Sequence, residues 1–197
     1  MIRTTQRRRT IVALVTCALA PFVGVSSAEA AEITVTDSTG DVREGDGEGE
    51  GRLAPRVSNG DITNVSYDHR AARVVIRAEY VELLRPQSNN STLVFATRMR
   101  TNEGAYRVAF TDADAGEPQG ATFLTNRRGE VRCNVDERID YFGNAIQVRI
   151  PRTCLSRPQW IRFTSFHATE TADRVTYDHP HDDGPDPTAW TSRVLHD

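Results

Sequence analysis

The chain has 197 residues, with 24 basic and 27 acidic side chains and a formal net charge of −3. This length suits one domain of ordinary size with a real hydrophobic core. The mildly acidic balance argues against nucleic acid and against anionic membranes as partners.

The first thirty residues have the pattern of a cleaved signal peptide. Four arginines precede an apolar run from Ile11 to Val25, and Ala28-Glu29-Ala30 matches a small-x-small cleavage site. We therefore predict that residues 1–30 are removed near Ala30 and that the protein is secreted, by the general or the twin-arginine route. Residues 31–197 then form a single domain with net charge −6, because the removed segment carries four arginines and one glutamate. We expect no membrane association after cleavage.

The predicted domain begins with a strand and a long polar loop. The strand runs from Ile33 to Asp37 and leads into a tight acidic turn, Asp37-Ser38-Thr39-Gly40-Asp41. Residues 42–60 are rich in Gly and Glu and have almost no apolar content, which predicts a mobile acidic loop.

Alternating apolar and polar residues then predict a series of short strands. Val74, Ile76, Ala78 and Tyr80 alternate with charged residues, and similar runs recur until about residue 177, separated by Gly and Asn turns. No stretch has a sustained helical period. About ten short strands at regular spacing predict an all-β fold, an antiparallel β-sandwich of jelly-roll or Greek-key type. The residues 179–197 are expected to form a polar C-terminal tail.

The stretch from Glu130 to Leu155 is predicted to form a β-hairpin with a disulfide. Val131, Cys133 and Val135 alternate with polar residues in the first arm, and Ile146, Val148 and Ile150 do so in the second. In this register Cys133 lies level with Val148, so the chain must fold back after Pro151 to bring Cys154 within reach. An even number of cysteines in an exported domain favours the Cys133–Cys154 bridge over two free thiols.

Several of these motifs together resemble a family of exported actinobacterial proteins without assigned function. They are Asp37-x-x-Gly-Asp41, Asn59-Gly60-Asp61-Ile62, a strand ending in His69, and Ile150-Pro-Arg-Thr-Cys-Leu155 followed by Pro158-x-Trp160. The resemblance implies a β-sandwich and brings no activity or substrate. The opening Asp-x-x-Gly-Asp turn and the Asp-Ile strand are also similar to the start of sandwich modules that bind sugars or haem, which often carry a structural calcium near this turn.

Acidic residues near both ends of the domain form a candidate calcium site. Calcium takes six to eight oxygens from several segments, and the first and last strands of a sandwich often lie close together. The alternative is that these aspartates cap turns. The candidate ligands are Asp37, Asp41, Asp61, Asp178, Asp182 and Asp183.

Other patterns give weaker hypotheses. His179-Pro180-His181 with the two aspartates after it has the residue types of a zinc site. Ser165, His167 and Glu170, or His69 with Asp68, contain the residue types of a catalytic triad or acid–base pair, but no nucleophile elbow or zinc-protease motif supports catalysis, and no catalytic residue is predicted. Trp160 lies beside Ile161 and Phe163, which favours a core position, whereas Trp190 in the polar tail is a candidate for glycan binding.

The sequence therefore predicts a secreted, monomeric, non-catalytic β-sandwich that serves as a binding or structural module, with calcium as its candidate stabilising ion. Its expected partner is an extracellular one, a cell-wall polymer or a protein. The alternatives are a small secreted hydrolase and a glycan-binding module.

Overall fold

The computed structural model describes residues 31–45, 51–88, 90–131, 133–180 and 189–197. The predicted signal peptide, residues 1–30, lies outside these residues. The described part of the chain forms strands and one short 3₁₀ helix, Arg152–Leu155. The strands are β1 (Glu32–Thr36), β2 (Arg43–Gly45), β3 (Arg52–Leu53), β4 (Ile62–His69), β5 (Arg73–Tyr80), β6 (Thr92–Thr101), β7 (Tyr106–Asp114), β8 (Ala121–Asn126), β9 (Gly129–Glu130), β10 (Asp136–Asp140), β11 (Ala145–Pro151), β12 (Trp160–Glu170), β13 (Val175–Asp178) and β14 (Val194–Leu195).

Two antiparallel sheets contain these strands, which confirms the predicted all-β sandwich. The smaller sheet has five strands in the order β1-β4-β5-β11-β10. The larger sheet has nine, in the order β3-β2-β13-β12-β6-β7-β8-β9, with β14 pairing to β12 beside that path. Both outermost strands of the larger sheet, β3 and β9, are only two residues long.

The core lies between the sheets because the predicted alternation holds in the long strands. In β5, Val74, Ile76, Ala78 and Tyr80 point inward and are buried. The inward residues of β12 in the other sheet also belong to this core. Among them, the ring of Phe163 stacks on the ring of Tyr67 in β4, with the ring centroids 4.6 Å apart. Burying each large apolar side chain in this layer contributes roughly 1.5–3 kcal/mol.

A short chain of hydroxyl groups crosses this core. The Tyr67 hydroxyl donates a 2.9 Å hydrogen bond to Ser165 Oγ, which lies 2.7 Å from Thr97 Oγ1. The bonds satisfy polar groups that would otherwise be buried without partners. They also fix the smaller sheet against two neighbouring strands of the larger one.

The described parts of the segment 42–60, residues 42–45 and 51–60, contain two short strands that the predicted loop did not include. Arg43–Gly45 pairs with β13, and Arg52–Leu53 pairs with Arg43–Gly45 in turn. These strands extend the larger sheet at one edge. The pairing of β2 with β13 joins residues about 130 positions apart in the sequence. The composition of a short segment does not predict such long-range contacts.

The described end of the chain, residues 189–197, is also built into the sandwich rather than forming a polar tail. Phe163 N donates a 3.0 Å bond to Thr191 Oγ1, and Thr191 N donates to Phe163 O at 2.9 Å. Val194 is fully buried, and its carbonyl lies 3.1 Å from His69 Nδ1. The C-terminal strand therefore closes one end of the space between the sheets.

The cysteine-bearing hairpin is present, but its first strand lies further along the chain than predicted. Asp136–Asp140 pairs with β11 so that Glu137, not Cys133, is level with Val148. Cys133 lies before the strand begins. The predicted fold-back after Pro151 is confirmed, because β11 ends there and the 3₁₀ helix turns the chain back. Cys133 and Cys154 form the predicted disulfide, with Cα atoms 6.0 Å apart.

Removing this disulfide should destabilise the protein without changing its fold. The bridge closes a loop of 21 residues, so the Cys133→Ser, Cys154→Ser double variant should lose about 3 kcal/mol of unfolding free energy, measured by urea denaturation. The wild-type protein in reducing agent should match the variant. Equal stability of oxidised and reduced wild type would contradict the prediction.

Candidate metal centre

The predicted acidic turn carries the chain from one sheet to the other. β1 of the smaller sheet ends at Thr36, and β2 of the larger sheet begins at Arg43. Between them Asp37 Oδ1 accepts the Ser38 amide at 2.9 Å, and Gly40 takes a positive φ of 82° that suits glycine. The turn therefore places Asp37 and Asp41 at the junction between the sheets.

Asp61 reaches this turn from the start of β4. Its Oδ2 accepts the Gly40 amide at 2.8 Å, which ties the two segments together. The residue is only 3% exposed, and its Oδ1 is buried without a hydrogen-bond partner. A buried carboxylate oxygen without a partner is costly, so this atom needs a compensating positive group.

Asp178 approaches from the end of β13. Its Oδ2 accepts the Ile62 amide at 2.7 Å, and its Oδ1 accepts the His179 amide at 2.8 Å. The side chain is buried. Asp178 therefore links the larger sheet directly to the first residue of β4 in the smaller sheet.

These elements bring three carboxylates into one cluster. Asp37, Asp41 and Asp178 each offer an oxygen, and these oxygens lie within 4.8 Å of one another. Asp61 is bonded to the turn between the first two and lies near enough to act electrostatically on the third. Carboxylate oxygens from two separate segments, with Asp61 bonded to one of them, are the kind of set that a hard divalent cation such as Ca²⁺ prefers.

The electrostatics of the cluster favour a positive charge. The pKa of Asp178 is raised to about 7, mainly by burial and also by the neighbouring carboxylates of Asp41 and Asp61, against the opposing amide bonds from Ile62 and His179. Burial also raises the pKa of Asp61, partly offset by the Gly40 amide. Like charges in a desolvated site repel, and a bound proton or a cation relieves this repulsion.

The structure brings together four of the six predicted ligands. Asp37, Asp41, Asp61 and Asp178 meet at one end of the sandwich. Asp182 and Asp183 lie outside the described residues.

Tyr80 belongs to the same region and was not predicted from the sequence. Its hydroxyl is buried without a hydrogen-bond partner, and its ring packs edge-on against His167 with centroids 5.0 Å apart. Burial, and then the charge of Asp178, raise the pKa of Tyr80 well above its usual value. The alternation of β5 predicted that Tyr80 is buried. No pattern in the sequence predicted that Tyr80 lies near the acidic cluster.

The residues considered for catalysis do not form an accessible site. Ser165 and His167 both point into the core and are buried, and Ser165 is bonded to Tyr67 and Thr97. His69 is buried against the C-terminal strand, whereas Asp68 points to the opposite face of β4. A nucleophile and base must be reachable by substrate, and these are not.

The aromatic and histidine residues considered for binding lie elsewhere. Trp160 was expected in the core, but this prediction is wrong. The side chain is half-buried on the outer face of β12, where the guanidinium group of Arg193 lies 4.7 Å from the centroid of its ring. His179 packs near the rings of Phe166 and Tyr177. His181, its proposed partner for zinc, is outside the described residues.

Fold and site together define a disulfide-bridged β-sandwich with a cluster of carboxylates at the junction of its sheets. Comparison of the chain with protein-family models, with curated proteins and with solved structures finds no match. Within the described residues, no helix has the length and apolar character needed to cross a membrane.

Replacing Gly60, which precedes Asp61, should disturb this junction. A Cβ at Gly60 would lie 2.5 Å from Cδ2 of the buried His167, whereas a Cβ at Gly104 would have no neighbour within 4 Å. Both glycines have positive φ, so backbone strain is common to both variants. We expect Gly60→Ala to lower the free energy of unfolding by about 1–3 kcal/mol more than Gly104→Ala in urea denaturation. Equal losses of unfolding free energy in the two variants would contradict this prediction, because they would show that the His167 ring moves aside without cost.

His167 should also make the protein less stable in acid. Burial lowers its pKa to about 3, whereas the unfolded chain takes up the proton near pH 6.5. The free energy of unfolding should therefore fall as pH decreases from 6.5 towards 3, by up to about 1.4 kcal/mol per pH unit from this group. His167→Gln should lose this slope in urea denaturation, and the exposed His196→Gln should keep it. Parallel pH curves for wild type and His167→Gln would contradict the assignment.

Proposed function

We propose that the protein acts outside the cell as a non-catalytic β-sandwich binding or structural module, and that a Ca²⁺ ion at the acidic junction stabilises its fold. The observation that carries the calcium proposal is the convergence of Asp37, Asp41 and Asp178 within 4.8 Å. Asp61 adds a second, independent observation, because its buried Oδ1 has no partner although its Oδ2 is held by the same turn.

A cation at this place has a structural role. The cluster unites the β1–β2 turn, the start of β4 and the end of β13, which belong to both sheets. Ca²⁺ accepts irregular sets of carboxylate and carbonyl oxygens, whereas Mg²⁺ demands a near-octahedral set and keeps most of its water. An irregular set of carboxylates from the β1–β2 turn and the end of β13 therefore favours calcium.

Export supports this role. The predicted signal peptide would deliver the chain to an oxidising compartment, where the Cys133–Cys154 disulfide forms and persists. Extracellular calcium concentrations are high enough to fill sites of modest affinity. The alternative of a secreted hydrolase is not favoured by the structure, because Ser165 and His167 are closed off in the core.

Calcium should raise the thermal stability of the purified protein, and a chelator should lower it. Binding to the folded state alone stabilises by about 2.7 kcal/mol when the free ion is at one hundred times its dissociation constant. Asp61→Asn should abolish the response, because it removes the charge of the partnerless Oδ1 position yet can keep the Gly40 bond. In chelator this variant should melt at or above the wild-type temperature, since it relieves repulsion.

Asp173→Asn is the matched control. Asp173 is exposed in the β12–β13 turn, five residues before Asp178, and this variant should respond to calcium as the wild type does. Calorimetric melting in chelator, in millimolar calcium and in millimolar magnesium distinguishes the ions. Identical melting of the wild type in all three would overturn the calcium proposal.

A further inference from the structure

The outer face of the larger sheet carries an array of arginine–aromatic stacks. Ser165, His167 and their cross-strand partners Thr97 and Phe95 point inward, so the alternate residues of β6 and β12 point outward. Four guanidinium groups lie over aromatic rings on this face or at its end. They are Arg98 over Phe166 at 5.8 Å, Arg100 over Trp190 at 4.5 Å, Arg127 over Tyr106 at 6.0 Å and Arg193 over Trp160 at 4.7 Å.

The arginines of this arginine–aromatic face form no ion pair with any carboxylate that the structure describes. Among the described residues, none of these four arginines has a carboxylate within 4.0 Å, and neither does Arg162, the cross-strand partner of Arg100. Arg162 instead donates its Nε–H to the Thr191 carbonyl at 3.0 Å. Stacked guanidinium groups keep their edge N–H donors available for a planar anion. The face thus concentrates cations on a protein whose net charge is −3.

A surface cavity continues the basic region at the end of the sheet. It has a volume of about 270 Å³ and lies between the β6–β7 turn and the β8–β9 turn. Tyr106, Arg107, Arg127 and Arg128 contribute to its lining. The acidic residues of β7 on this face, Asp112 and Asp114, lie at the other end of the strand, so the positive charge is confined to one part of the face.

Exposed aromatic rings adjoin the arginines. Phe110 and Phe123 are cross-strand partners on β7 and β8, 36% and 45% exposed. Phe110 also pairs with the small residue Ala96, which is the partner of Phe166 on the other side. Phe123, Phe110 and Phe166 therefore lie on one line across β8, β7 and β12, with the fully buried Ala96 of β6 between the last two.

We propose that this face binds an anionic polysaccharide, a sugar polymer that carries carboxylate or phosphate groups. Guanidinium groups bind carboxylates and phosphates with paired hydrogen bonds, and exposed aromatic rings offer apolar platforms to the faces of sugar rings. The proposal rests on the extracellular binding role above and names its partner class.

Two other anionic partners fit the face less well. Single-stranded nucleic acid also combines stacking with arginine contacts, but its binders stack successive bases on open aromatic rings. Four rings of this face are already covered by guanidinium groups. A membrane-binding surface needs apolar side chains that insert among lipids. Phe110 and Phe123 are only 36% and 45% exposed, which leaves little of each ring to insert.

Binding to defined polymers tests the proposal. The wild-type protein should bind polygalacturonate, which carries carboxylates, or poly(glycerol phosphate) wall polymer, which carries phosphates, and the two arms identify the anion. Neutral dextran should not bind, and affinity should fall as salt rises. The Arg100→Gln, Arg162→Gln double variant should weaken binding at least tenfold, and Phe110→Ala should weaken it independently of salt.

The matched control lies on the opposite sheet. Arg73 and Arg149 form no ion pair with a carboxylate in the part of the chain that the structure describes, and they line a cavity of about 290 Å³ on the smaller sheet. The Arg73→Gln, Arg149→Gln variant should bind like the wild type. No binding of either anionic polymer, tighter binding of oligothymidylate or of phosphatidylglycerol vesicles, or loss of binding only in the control variant would each overturn the proposal. The effect of calcium on the melting temperature is measured on the same samples. A protein that responds to calcium but binds no polymer would contradict the polysaccharide proposal and leave the calcium proposal standing.

Discussion

One buried carboxylate joins the two sheets at their acidic end. Asp178 accepts the amide of Ile62 across the sandwich, so the position of β4 depends on an ionisable group in a desolvated place. Asp41 and Asp61 crowd the same place, and burial with these neighbours raises the pKa of Asp178 to about 7. These carboxylates repel one another in a desolvated place, so a bound proton or cation would relieve the repulsion at this junction.

The two ends of the sandwich are closed by different means. At one end the C-terminal strand pairs with Trp160 and Ile161, Asp197 N reaches the carbonyl of His69, and Arg152 N bonds to Ala72 O beside the disulfide-bearing turn. At the other end β12 passes His167 opposite Asp178, and carboxylates fill the junction. The disulfide and apolar contacts stabilise the first end, whereas buried carboxylates that repel one another lie at the second.

Local pattern predicted the strands and the participants of the site, but not the long-range pairings. The alternation through Val74 and Tyr80 was sufficient to define β5, and the aspartates Asp37, Asp41 and Asp178, chosen from both ends of the domain, do lie close together. The sequence could not show that Glu137, rather than Cys133, lies opposite Val148, since both registers keep an inward set. Nor could it show that Trp160 faces outward, because its neighbours Ile161 and Phe163 make the whole run look apolar.

The two-residue strands at both margins of the larger sheet bear on how the protein behaves at high concentration. A long unpaired strand offers a row of backbone donors and acceptors to any neighbouring chain, and this is a common route to aggregation. Here β3 and β9 each present only two residues, and arginine occupies one of the two positions in β3. Strands β3 and β9 are therefore too short to template a long further strand, which limits edge-to-edge association at these two margins of the larger sheet.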